Sequence, residues 1–219
     1  MKEAHRVIAV DGPAASGKSS VAHELAQRLG FLYVNSGAMY RAITWHVLQQ
    51  GVDPDDGARI AQTIESARIT CGLENNQSRI LIDDVDPIDH LRDDRVNEGV
   101  SRISSVPRVR EILVAKMRGY ARDHDLVMEG RDIGSVVFPD TPYKFYIDAS
   151  PEVRLRRRAA QGQRDEIAAR DRADSSRRAS PLVIAEDAHV IDSSNLTIEG
   201  VVGEIIRRLK MKGLERVDE

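Results

Sequence analysis

Cysteine, lysine and long apolar runs are what this 219-residue chain has least of. Its single cysteine, Cys71, excludes an intrachain disulfide and a thiolate metal cluster, suits a reducing cytoplasm, and reads as a small buried hydrophobe. The histidines (His5, His23, His46, His90, His124 and His189) are scattered, so no histidine metal site is expected. The longest uncharged run, Leu29 to Tyr40, has twelve residues and contains Gly, Asn and Ser, too short and too polar to cross a bilayer. The opening MKEAHRVIAV meets charge before any apolar stretch, which argues against a signal peptide. A net charge of −3 speaks against a general polyanion binder. These absences together predict a soluble cytoplasmic protein with neither membrane nor nucleic acid as partner.

What is abundant is arginine, 26 residues against six lysines. Many of these can be surface habit. A guanidinium also grips phosphate or carboxylate at two points, as an ammonium cannot, and with near-neutral charge such grips must be local. At roughly 150 residues per domain the length predicts one domain, and 41% hydrophobic residues suffice for its core.

Hydrophobic periodicity predicts an α/β fold. Val7 to Val10 reads as a buried strand, Ser19 to Leu29 as a helix stopped by Gly30, Phe31 to Val34 as a second strand and Gly37 to Leu48 as a second helix. Continuous apolar strands alternating with helices imply a parallel sheet covered on both faces. Arg68 to Leu73 and Arg79 to Val85 flank Glu74-Asn75-Asn76-Gln77 and read as a small antiparallel insertion outside that sheet. Helices are expected over Asp94 to Ser104 and from Pro107, and strands over Leu126 to Met128, Tyr143 to Ile147 and His189 to Ile191. A last helix, Ile198 to Lys210, precedes a loose tail from Met211.

Between the first strand and helix, Gly12-Pro13-Ala14-Ala15-Ser16-Gly17-Lys18-Ser19, followed by Ser20, matches the phosphate-binding pattern G-x-x-x-x-G-K-[ST]. Its glycines let the backbone wrap a phosphate with N–H groups pointing inward, and the helix start adds positive potential. Lys18 is placed to bridge the β- and γ-phosphates of ATP, and Ser19 to reach Mg²⁺. Glu129, at the end of the third core strand, could order that ion through water or be an ordinary exposed strand-end acid. No N-K-x-D guanine motif occurs.

Four clusters suggest a second anionic ligand: Ser36 to Arg41, Arg108 to Arg110, Gly130 to Asp132, and Arg170 to Arg177. Three of them follow strands or open helices, at the sheet edge where open α/β folds bind ligands. Arg154 to Arg158 reads instead as a solvated helix face. It lacks interleaved aromatics, which argues against nucleic acid.

At these residues the chain resembles the bacterial cytidylate kinases. The matching segments are DGPAASGKSS, NSGAMYRA, SVPRVRE, EGRDIGSVVFPD, IDASPEVRLRRR, ARDRADSSRR and VIDSS, in family order from Val7 to Ser194. The resemblance implies a nucleoside monophosphate kinase fold, one domain over 1–219 with a five-stranded parallel core. It also implies a monophosphate-binding arm over about 37–100, a lid over about 152–178, and a monomer. By the family pattern Arg41, Arg131, Arg170 and Arg177 grip the CMP phosphate, with Lys18, Arg131, Arg170 and Arg177 carrying catalysis. Asp174 holds the ribose, Ser36 lines the same pocket, and Ser101, Arg110 and Asp132 read cytosine. Glu129 stands where many members have Asp, and Ala173 where some have a further arginine.

The implied reaction moves the γ-phosphoryl group of ATP, with Mg²⁺, to CMP or dCMP. A carboxylate such as Asp132 can accept from the exocyclic N4 amine of cytosine. Uracil has an oxygen there, so CMP and dCMP are expected well above UMP. Two rivals remain open on sequence grounds: a kinase for another small acceptor, and a P-loop regulatory ATPase.

Overall fold

The computed structural model describes residues 5–160 and 182–214. Among these the strands are β1 (Val7–Asp11), β2 (Leu32–Asn35), β3 (Ile69–Glu74), β4 (Gln77–Ile82), β5 (Leu126–Gly130), β6 (Tyr143–Asp148) and β7 (His189–Asp192). The helices are α1 (Lys18–Leu29), α2 (Ser36–Gln49), α3 (Gly57–Ser66), α4 (Asp94–Ile103), α5 (Pro107–Tyr120), α6 (Pro151–Ala160) and α7 (Ile198–Met211). The strands form one sheet in the order β3-β4-β2-β5-β1-β6-β7. From β2 to β7 all neighbours are parallel, which gives the expected five-stranded core.

Side-chain alternation along the strands divides the core in two. Val7, Ala9, Leu126 and Met128 face one cluster, packed on Met39 and Ile43 of α2, Ile60 and Ile64 of α3, Ile103 of α4 and Leu113 and Met117 of α5. Ile8, Val10, Val127, Phe145 and Ile147 face the other, packed on Val21 and Leu25 of α1 and Val202, Ile205 and Leu209 of α7. Strands buried on both faces explain why their sequences are apolar runs rather than alternations. Truncating Phe145, 1% exposed, to Ala would cost ~3–5 kcal/mol by this packing.

The structure revises the sequence reading at several places. The β3–β4 hairpin is antiparallel, as expected, but it is not separate: β4 pairs with β2 through Tyr33 and Gln77 and extends the sheet to seven strands. Asn75 and Asn76 both take positive φ at its turn, 49° and 58°, as a tight two-residue turn requires. Helix α3 escaped the periodicity search because only Ile60 and Ile64 mark its buried face, although Asp56 caps it by accepting from the Arg59 N–H at 2.9 Å. A 3₁₀ turn at Ile88–His90 was likewise unforeseen. The tail expected to be loose is tied down as far as Leu214, which is buried against the α1–α7 cluster with its N–H on the Leu209 carbonyl at 3.0 Å. Cys71 is half-buried, packed against the first cluster, and burial raises its thiol pKa.

The carboxyl ends of β1, β2 and β5 finish side by side. Asp11 registers with Gly130, and Asn35 with Glu129, so the loops leaving these three strands open onto one edge.

Candidate active site

The loop from Gly12 to Gly17 leaves β1 and enters α1. Gly12 is required by space: a Cβ there would lie 2.1 Å from the Ile147 carbonyl oxygen. Gly17, at φ 91°, occupies the left-handed region at the N-cap of α1. Lys18 is buried and donates to the Pro13 carbonyl at 3.1 Å, folding over the loop it belongs to. Ala14, Ala15, Gly17, Lys18, Ser19 and Ser20 line a cleft of about 570 Å³. Gly12, Pro13 and Ser16 lie outside that lining and shape the loop from behind.

That backing comes from α6, and here the structure corrects the reading of Arg154 to Arg158 as a solvated face. Arg154 and Arg158 are buried. Arg154 donates to the Ala14 carbonyl at 3.4 Å and to Ala149 at 3.1 Å. Arg157 donates to the Ser16 carbonyl at 3.1 Å and to the Ser193 carbonyl at 2.8 Å, while the Ser193 hydroxyl donates to Ser16 O at 2.7 Å. Arg158 lines the cleft itself. The i, i+3, i+4 spacing of Arg154, Arg157 and Arg158 was a legible signal that these three share a face.

Across the cleft stand Ser36, Arg41, Ser101, Arg110, Arg131 and Asp132, so the structure brings together the acceptor-side residues that the family pattern assigns within the described part. Arg170, Asp174 and Arg177 lie outside the described residues. Arg108 turns away from the cleft and pairs with Glu65 and Glu111 on the surface. Arg110 and Asp132 form a buried ion pair, with the guanidinium 5.5 Å above the Tyr40 ring. Arg131 donates to the Gly12 carbonyl at 2.9 Å, and the Ser36 hydroxyl to Glu129 O at 2.6 Å. Sequence reasoning missed Asn35, Gln77, Arg92, Asn97 and Arg158, which also line the cleft. Tyr40, part of the Ser36–Arg41 cluster but given no role of its own from sequence, lines the cleft as well.

Glu129 is not an exposed strand-end acid: it is 3% exposed, lines the cleft, and accepts from the Tyr33 hydroxyl at 3.0 Å. Burial, with the Glu129 charge beside it, pushes the Tyr33 pKa well above its ordinary value, so Tyr33 stays a donor. Asn35 donates to the same hydroxyl at 3.2 Å while its Oδ1 accepts from the Ala38 N–H and caps α2. The Ser19 hydroxyl and the Glu129 carboxylate are hard oxygen donors on one cleft, which suits Mg²⁺. Among the described residues no cluster of three or more His, Cys, Asp or Glu could hold an ion unaided, so the ion's remaining ligands would be phosphate oxygens and water.

A triphosphate cradle that shares a cleft with a basic acceptor hollow, at the carboxyl edge of a parallel sheet, defines a phosphotransferase of the P-loop class. The family model described as Cytidylate kinase matches residues 8–211. Cytidylate kinases from Rhodococcus jostii and Caldanaerobacter subterraneus are 43% and 42% identical over 94% and 93% of this chain, and 95% and 94% of their own lengths. A further one from Pelotomaculum thermopropionicum is 43% identical over 92% of this chain and 95% of its own. The chain belongs to the cytidylate kinase family.

Proposed function

We propose that this protein transfers the γ-phosphoryl group of ATP to CMP or dCMP, forming CDP or dCDP and ADP, as a step of pyrimidine nucleotide metabolism. The observation that carries this reading is the buried Arg110–Asp132 pair on the wall of the same cleft as the phosphate loop. Cytosine presents an amine donor beside ring acceptors. Asp132 accepts from the amine and Arg110 donates to the acceptors, a complementary edge that uracil inverts at two positions, with O4 in place of the amine and N3–H in place of the ring acceptor.

No general base is needed. The attacking atom is an anionic phosphate oxygen of CMP; its bond to the γ-phosphorus forms as the bond to the β–γ bridging oxygen breaks, and that electron pair leaves on ADP. The chain's task is alignment and charge neutralisation. Lys18 and the backbone N–H groups of the loop residues that line the cleft, Ala14, Ala15, Gly17, Lys18 and Ser19, hold the donor phosphates. Arg41 and Arg131 hold the acceptor phosphate, joined by Arg170 and Arg177, while Asp174 holds the ribose. Ser36 and Ser101 line the acceptor hollow. Ser19 directly and Glu129 through water would hold Mg²⁺, which, when bound, offsets charge on the phosphates. Residues 37–100 serve as the monophosphate arm and 152–178 as the lid that excludes water. We take the working unit as a cytoplasmic monomer.

The deciding measurement is ATP-dependent diphosphate formation with CMP, dCMP, UMP, AMP and shikimate offered separately in Mg²⁺ buffer. CMP and dCMP are expected to turn over fastest. No turnover of CMP beside turnover of another acceptor overturns the assignment.

A further inference from the structure

Asp11 closes β1 immediately before the phosphate loop and carries no role in the reading above. Its side chain is buried, and both oxygens are engaged: Oδ1 accepts from the Ile133 N–H and Oδ2 from the Gly134 N–H, each at 2.8 Å. Those amides belong to the two residues after Asp132. The next residue along from Asp11, Gly12, accepts from Arg131 through its carbonyl at 2.9 Å. Two consecutive residues at the root of the donor loop therefore hold three residues, Arg131, Ile133 and Gly134, that flank Asp132 in the loop carrying the acceptor groups.

The held loop has little regular structure of its own at this point. Asp132 has φ −147° and ψ 25°, and the following five residues wind into a single wide turn, Ile133–Val137. The far end of that turn is fixed from α5, where Arg118 donates to the Val136 and Val137 carbonyls at 3.0 and 2.9 Å. Its near end is fixed by Asp11. Asp132 itself pairs with Arg110 through its carboxylate, and its carbonyl accepts from the Val136 and Val137 N–H groups at 2.9 and 3.1 Å, so Asp11 fixes the backbone on which that pair is mounted.

We propose that Asp11 is a positioning residue for the acceptor nucleotide: by accepting from two successive amides it sets Arg131 and Asp132 against the phosphate loop before CMP arrives. It touches neither substrate. In-line transfer needs the two phosphates at contact distance, and a 1 Å displacement of the acceptor is enough to lose about 100-fold in rate. A carboxylate is the side chain this geometry demands. An amide offers one acceptor oxygen and would turn N–H donors toward the second amide.

The inference rests on the assignment of CMP to the Arg131–Asp132 loop, and the test separates the two. Asp11→Asn and Asp11→Ala are compared with wild type for kcat and KM toward CMP and toward ATP. The expected result is graded: kcat/KM for CMP falls about 10-fold in the Asn variant and about 100-fold in the Ala variant, while KM for ATP stays within about twofold. Equal losses toward both substrates, or no loss, overturn the positioning role. No CMP turnover by wild type overturns the function on which it rests. Should either variant fail to fold, amide exchange on the unmodified chain decides. Protection of the Ile133 and Gly134 amides without CMP supports the anchor, and free exchange at both sinks it.

Discussion

Arg110 and Asp132 neutralise each other on the wall of the cleft before any base is present, each less than a tenth exposed. Removing one partner of such a pair leaves the other charged and buried, at ~3–5 kcal/mol. Asp132→Ala is therefore expected to lower thermal stability as well as kcat/KM for CMP, the latter by about 100-fold, with UMP losing less than about 10-fold. Asp132→Asn, which can donate to a uracil oxygen, should narrow the CMP-to-UMP ratio further. A coupled assay with both nucleotides checks this, and parallel losses would remove Asp132 from base recognition.

Arg157 is expected to act on the opposite substrate. Its guanidinium joins the Ser16 carbonyl of the phosphate loop to Ser193 after β7. Arg157→Ala leaves the back of the loop without that brace and should raise KM for ATP about 10-fold, with KM for CMP steady. Steady-state kinetics with each substrate varied in turn would show the split. A rise in the CMP constant alone would contradict it.

For Lys18 the expectation is a loss of chemistry rather than of the acceptor. Lys18→Ala should lower kcat by about 100-fold or more, the scale of removing one preorganised charge donor. CMP affinity measured by calorimetry without ATP should be unchanged. Full activity in the variant would take Lys18 out of the transfer step.

What could be read from sequence divides along a physical line. The phosphate loop and the residues about it were legible because each demand is local: Gly12 and Gly17 at fixed offsets, then Lys18, between an apolar run and an amphipathic stripe. The five core strands were legible for a similar reason, since burial on both faces leaves near-continuous apolar runs. The rest depends on contacts between distant segments. The spacing of Arg154, Arg157 and Arg158 marks one helix face, but nothing local says that Arg154 and Arg157 would meet loop carbonyls about 140 residues earlier. Nothing beside Glu129 announces the Tyr33 hydroxyl 96 positions away. The joining of β4 to β2 rests on a single register pair, too slight to leave a pattern in sequence.

Asp11 leads to a prediction about stability rather than rate. Burial raises its pKa from 3.8 to about 7, against the lowering effect of the Gly134 and Ile133 amides; the Asp132 charge adds to the rise and that of Lys18 opposes it. Between roughly pH 4 and the folded value of about 7, the folded chain holds a proton on this group that the unfolded chain has released. Where the folded state binds more protons, stability falls as pH rises, so this carboxyl destabilises progressively across that window and by a constant amount above it. The size is about 4 kcal/mol over the full window at ~1.4 kcal/mol per pH unit. Asp11→Asn cannot ionise. Its Tm relative to wild type should therefore climb between pH 4.5 and 7.5, by something on the order of 10 °C for a domain of this size. Carboxylates with depressed values, such as Glu204 held at about 2 by Arg208 and Arg207, behave oppositely but are shared by both proteins and cancel in the difference. Calorimetric melts across the range provide the check, and a difference that stays flat with pH would mean that Asp11 remains ionised throughout. The sloping outcome would mean that the carboxylate which orders the acceptor loop is kept at a cost in stability near neutral pH.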